Sequence, residues 1–298
     1  MKSLFVKFIL FSFLSFVSWN YIGILFIPAV SIFFMIIIES LEKKWSVFLV
    51  RSFVLVFVFN ISVTFWLVQV SWREGILAFL ANSLFMLFPI TITYVLSKKL
   101  KKHFAILFLI FWVLFEILLT KWDLAWSWLN FGHVMGNMNY FVQWYSFTGV
   151  YLGTFWILVS ALLLNKILKA KKSKYYFQLA LVLFIPILFS SYLYLLSSPN
   201  NKQITLTTYI PSDDNKSNFL KTKKLYFDLV NFKTGKYVVC PEVFLNPVNI
   251  FSASQQNHFF YLNKLTVKKP NINLIFGAEL KSDFGTFNSI LVKNQKGF

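Results

Sequence analysis

The sequence is poor in charge and nearly devoid of cysteine. Only 13% of its 298 residues are charged, and 11 acidic residues stand against 29 Lys and Arg. Cys240 is the one thiol, which excludes an intramolecular disulfide even in an oxidising compartment. The histidines, His103, His133 and His258, are scattered, and none stands at ligand spacing with another His or Cys, so no metal site is expected. No glycine-rich nucleotide loop is present, and neither an internal repeat nor a low-complexity tail interrupts the chain.

What is abundant is apolar. Hydrophobic residues make up 57% of the chain and include 38 Phe, more apolar surface than one soluble core of this length can hide. A membrane span needs ~20 mostly apolar residues, because the hydrocarbon layer is ~30 Å thick and a helix rises ~1.5 Å per residue. Seven stretches are read as spans: 5–19, 21–38, 52–70, 77–96, 104–119, 141–167 and 177–196. The first is short, but Ser15–Trp19 offers no small-residue cleavage site and a second span follows at once, so it is read as retained.

The basic residues predict an orientation. With a cytoplasmic N-terminus, the inner segments hold Lys2 and Lys7, then Lys43, Lys44 and Arg51. Lys98, Lys99, Lys101 and Lys102 follow, and then Lys166, Lys169, Lys171, Lys172 and Lys174. The outer loops of the same region hold only Arg73 and Lys121. This asymmetry over short loops follows the positive-inside rule and sends the segment after Leu196 outside the cytoplasm. The net charge of +18 is thus expected to meet anionic lipid headgroups, with no nucleic-acid partner.

The composition changes near Ser197-Ser198-Pro199, dividing the chain into a membrane part, 1–197, and a polar segment, 198–298. In the latter, 203–209 alternates as a strand and 217–232 carries apolar residues at helical spacing. Residues 237–240 read as a buried strand, 254–267 as a second helix, and 273–278 and 287–292 as further strands. The order β-α-β-α-β-β predicts a layered α/β domain.

Three places carry candidate chemistry. Glu116 lies within the span FWVLFEILL, where a carboxylate is costly and either serves function or is held by Ser, Trp or backbone donors. The outer loop TKWDLAWSWLNFGHVMGNMNY combines Trp122, Trp126 and Trp128 with Gly132, His133 and Gly136. Tryptophans at span ends commonly form an aromatic belt, but glycines in such a loop favour a packed lid or a lipid-facing entrance over a bare linker. Finally, YVVCPEVFLNP presents Glu242 directly after a strand end. This is a rigid position for a general base, although a turn glutamate would look the same.

The strings WSWLNFGH, FVQWYSFTGVYLGTFWILV, VVCPEVFLNP, GAEL and FNSILV, in that order, resemble apolipoprotein N-acyltransferases. Glu116, Trp128, Leu129, Gly132 and Gly149 carry much of the likeness. The resemblance implies a helical bundle in the bacterial inner membrane, joined to a periplasmic nitrilase-like (carbon–nitrogen hydrolase) domain, here partial. It implies a cysteine thioester acylated from a phospholipid donor, transfer to a diacylglyceryl-modified apolipoprotein, and no cofactor. Glu242 matches the family's general base. Trp126, Trp128, Gly132, His133 and Glu116 become candidates for the lipid side. The family's oxyanion Lys and its nucleophilic Cys lie beyond FNSILVKNQKGF, so neither is expected in this chain. Lys293 and Lys296 come too early to replace the former, and Cys240, inside a strand, is read as inert. Residues 208–211 stand where relatives carry Gln-x-Asn, and Ser127 where they carry Pro. The expectation is an N-terminal fragment or decayed copy that does not turn over. The alternatives are a non-catalytic relative that binds lipid or lipoprotein, and a transporter, which the lack of paired broken helices disfavours.

Overall fold

The computed structural model describes all residues except 1, 101–103, 122–125, 197–204, 212–216, 243, 250–256, 258, 284 and 298. Trp122, His103, His258 and the composition change at 197–199 therefore lie outside the described residues. The chain divides into two compact units, Met1–Ser198 and Pro199–Phe298.

The first unit is helical: α1 (Lys2–Asn20), α2 (Phe26–Ser40), α3 (Trp45–Thr64), the short α4 (Leu67–Val70), α5 (Trp72–Leu100), α6 (Phe104–Leu119), α7 (Tyr145–Ala170) and α8 (Ser173–Leu196). Among the described residues six helices are long and apolar enough to cross a membrane, α2 only together with the 3-10 turn Gly23–Leu25 that leads into it, as Gly23–Ser40. The expected count of seven includes α6, whose 16 residues span about 24 Å at ~1.5 Å per residue, short of a ~30 Å hydrocarbon layer. Each expected span nonetheless overlaps a helix, although 52–70 is broken between α3 and α4 and 141–167 begins in the loop before α7.

Aromatic rings fill the centre. Phe33, Phe108 and Trp112 lie within 6.0 Å of one another, centroid to centroid, between α2 and α6. Buried amides tie other helices: Asn82 on α5 donates to Asn60 on α3 at 2.6 Å. Proline creates a further tie. Pro186 inside α8 has no N–H, which leaves the carbonyl of Val182 without its helical donor. The Trp156 indole on α7 donates to that carbonyl at 2.6 Å.

Among its described residues the second unit contains one five-stranded sheet with two helices: β1 (Leu206–Thr208), α9 (Asn218–Val230), β2 (Tyr237–Val239), β3 (Leu245–Asn249), α10 (Phe259–Lys268), β4 (Asn273–Ser282) and β5 (Gly285–Lys293). β4 is the spine. β2 runs parallel to its first half, with Val238 opposite Leu274, and β3 runs parallel to its second half, with Leu245 opposite Ala278. β5 returns antiparallel, placing Asn288 opposite Glu279. α9 buries Leu225, Tyr226 and Leu229 and α10 buries Phe259, Leu262 and Leu265, the spacing of helices with one apolar face. β3 was not expected, and the order is β-α-β-β-α-β-β. Pro247 lies inside it, tolerated because β3 pairs with β4 alone.

Candidate functional site

In the helical unit the site is built around Glu116. It is 2% exposed, and among the described residues no Lys or Arg pairs with it. Three donors do the work instead. The Trp112 indole, one helical turn earlier, donates to Oε1 at 3.0 Å, and the Phe131 backbone N–H donates to the same oxygen at 2.9 Å. The Thr154 hydroxyl on α7 donates to Oε2 at 2.6 Å and accepts from the Gly132 N–H at 2.8 Å. A buried polar group is tolerated only with such partners. Of the two readings of Glu116, the geometry matches a carboxylate held by Trp and backbone donors, with Thr in place of Ser.

These bonds fasten the outer loop. It runs through three short 3-10 segments, Ser127–Leu129, Phe131–Asn137 and Asn139–Phe141. Phe131 inserts between helices, its ring 4.6 Å from Trp112, 4.9 Å from Phe26 and 5.6 Å from Phe59. Leu129, Val134 and Met135 are buried beside it. The loop is thus part of the core. Gly132 has a steric reason: a Cβ there would lie 2.2 Å from the Val150 carbonyl oxygen. The Tyr145 hydroxyl closes the arrangement by donating to the Gly132 carbonyl at 3.2 Å. Gly149, at φ +70°, interrupts α7 just after this contact in a conformation that suits glycine.

The other loop candidates stand apart from Glu116's shell. Trp126 and Trp128 pack ring to ring at 5.1 Å, and Trp128 meets Trp66 at 5.9 Å. Trp66 and Trp128 are both exposed, as an interfacial belt requires. The exposed His133 lines a cleft of about 310 Å³ with Gly132, Asn139, Gln143, Tyr145 and Ser146. Partial loss of water there lowers the basicity of its imidazole. Thr154 and Tyr145 were not anticipated. A Thr inside an apolar span beside Gly153 was the available signal.

In the sheet unit, Glu242 stands where the edge of β4 is handed from β2 to β3. The parallel ladder continues past β2, since Cys240 N–H donates to Ile275 and the Pro241 carbonyl accepts from Gly277 N–H at 3.1 Å. At the next residue the ladder is interrupted and Glu242 is exposed. Its carboxylate accepts from the amide of Asn288, which pairs with Glu279 across β4 and β5, at 2.5 Å. Cys240 itself is buried, and burial pushes its thiol up to about 12. Lys293 is buried on β5, opposite Leu274. It lies five residues beyond Asn288, about 17 Å along a strand at ~3.4 Å per residue. Among the described residues no three His, Cys, Asp or Glu side chains gather as a metal site would require.

Such a helical unit, with six helices long and apolar enough to cross a membrane among the described residues, defines a multi-pass membrane protein. Residues 10–163, just over half of the 298, match the family model described as "Apolipoprotein N-acyltransferase N-terminal domain", and the chain belongs to that family. An apolipoprotein N-acyltransferase of Chlorobaculum tepidum is 28% identical over 133 residues, covering 44% of this chain and 25% of that relative. The chain thus matches about a quarter of the length of the curated relative.

Proposed function

We propose that this chain supplies the membrane platform and the general base of an N-acyltransferase that completes bacterial lipoproteins. In this reading a thiolate attacks an ester carbonyl of a phospholipid: the C–S bond forms, the C–O bond breaks, and a lysophospholipid leaves with a proton. The free amine of a diacylglyceryl-cysteine at an apolipoprotein N-terminus then attacks the thioester. The C–N bond forms, the C–S bond breaks, and the amine's proton passes to a base. Glu242 is that base in both steps. Both substrates are anchored in lipid, which is why the reaction uses a bundle of membrane helices.

The observation that carries the reading is the combination of family membership with Glu242, exposed at the interruption of a sheet edge and oriented by Asn288. α6 is read as the seventh span, its short length made up by the packed loop that follows it. The N-terminus is cytoplasmic, the membrane is the inner one, and the sheet unit is extracytoplasmic and part of a nitrilase-like layer. Cys240 does not serve as the nucleophile, because a thiol that stays protonated to about 12 is a poor one. The thiol, and a Lys for the oxyanion, come from outside residues 1–298, so this stretch alone does not turn over.

The test has two arms, both using a phospholipid labelled in its acyl chain. Proteoliposomes of residues 1–298 should yield no hydroxylamine-labile label on the protein. Label on Cys240 would overturn its inert role. A chimera completed with the remaining segment of the Chlorobaculum tepidum relative should become labelled, and its Glu242→Gln variant should not. Equal labelling of that variant would remove Glu242 from the chemistry.

A further inference from the structure

A second feature of the sheet unit is unrelated to Glu242. The turn between α9 and β2, the turn between α10 and β4, and the residues after β5 converge on an open cleft of about 950 Å³. That volume is within the range of small-molecule sites, roughly 300–1,000 Å³. Lys233, Lys236, Lys269 and Lys296 line it together with the amides of Asn271 and Asn294, and among the described residues no Asp or Glu does. It lies where β2 and β4 begin, whereas Glu242 follows the end of β2.

The four ammonium groups are not neutralised by any described carboxylate within ion-pair distance. Lys269 donates to the Phe232 carbonyl and Lys236 lies over the Tyr237 ring at 5.7 Å, contacts that position both amines without removing their charge. A concave wall carrying one sign of charge concentrates field lines and draws in counter-ions. Lysine, a compact strongly hydrated cation with three donors, is suited to phosphate. This unit follows directly in sequence on the apolar α8, so lipid phosphates are the anions most constantly at hand.

We propose that this cleft binds the phosphate of an anionic phospholipid headgroup. The site is separate from the acyl-donor chemistry and does not depend on which residue is the general base.

The test uses the full chain in neutral detergent with dihexanoyl phosphatidylglycerol added below its micelle concentration. Amide exchange is followed at 233–236, 269–273 and 294–296. These segments should slow in exchange, while the β4–β5 turn should not. The combined variant Lys233→Gln, Lys236→Gln, Lys269→Gln and Lys296→Gln should weaken the effect by about tenfold or more, with an unchanged circular dichroism spectrum. Single Lys→Gln variants, each milder on folding, should weaken it in part. Equal protection by inorganic phosphate alone would reassign the site to free phosphate and overturn the lipid proposal. Unchanged protection in the fourfold variant would overturn the cleft itself.

Discussion

Glu116 on α6 and Thr154 on α7 are joined by a 2.6 Å hydrogen bond in which the threonine hydroxyl donates to the carboxylate while accepting from the Gly132 N–H. Two helices and the outer loop therefore share one polar junction.

Replacing Glu116 by Ala removes the acceptor of three buried donors. At ~1–3 kcal/mol for each unsatisfied group, the variant should lose about 3 kcal/mol or more. Thermal unfolding in detergent, followed by tryptophan fluorescence, should show a clearly lowered midpoint. Glu116→Gln keeps an acceptor oxygen and should fall between the two. A wild-type midpoint for Glu116→Ala would contradict the junction.

Gly132 and Gly136 offer a paired comparison within the same segment. A methyl at 132 collides with the Val150 carbonyl, whereas one at 136 meets nothing within 4 Å. Gly132→Ala should cost about 1–3 kcal/mol, as overpacked sites do, and Gly136→Ala close to nothing. Equal effects in the same unfolding assay would show that the loop does not sit against α7 as described.

Trp156→Phe keeps the aromatic volume but leaves the Val182 carbonyl, already deprived of a helical donor by Pro186, unpaired. The expected loss is ~1–3 kcal/mol. Adding Pro186→Ala restores the N–H that the carbonyl lacks and should recover part of that loss. No recovery in the double variant would break the link between the proline and the tryptophan.

Much of the helical unit was legible because a lipid-facing helix must be apolar along its whole length, and each expected span overlaps a helix; the break of 52–70 between α3 and α4 was not read. The loop was harder. Its tryptophans were readable as interfacial, but the insertion of Phe131 among Phe26, Phe59 and Trp112 is a tertiary event with no local periodicity. Thr154 was hidden for a related reason: a single hydroxyl in a span has no meaning until its distant acceptor is known. In the sheet unit β3 was missed because Asn246 and Pro247 argue against a strand, and only its pairing with β4 makes it one. The partner of Glu242, Asn288, lies 46 residues away across a strand whose register no local pattern sets.

Cys240 gives a pH prediction. Burial raises its thiol from an ordinary value of 9.0 to about 12, so between these limits the folded state holds a proton that the unfolded state releases. The stability contributed by the protonated thiol is complete below about pH 9 and is lost as the pH rises toward about 12. Cys240→Ala should flatten that part of the stability profile. Iodoacetamide at about pH 8 should leave the native thiol unmodified and label it on unfolding. Rapid labelling of the native protein would contradict its burial.

The account depends most on which side of the membrane carries the sheet unit, because the proposed function places it on the outer side. A Gln295→Cys variant in a Cys240→Ser background places one exposed thiol beside β5. Intact spheroplasts treated with a membrane-impermeant maleimide should label that thiol fully. Protection until the membrane is broken would put the unit in the cytoplasm and remove it from lipoprotein acylation.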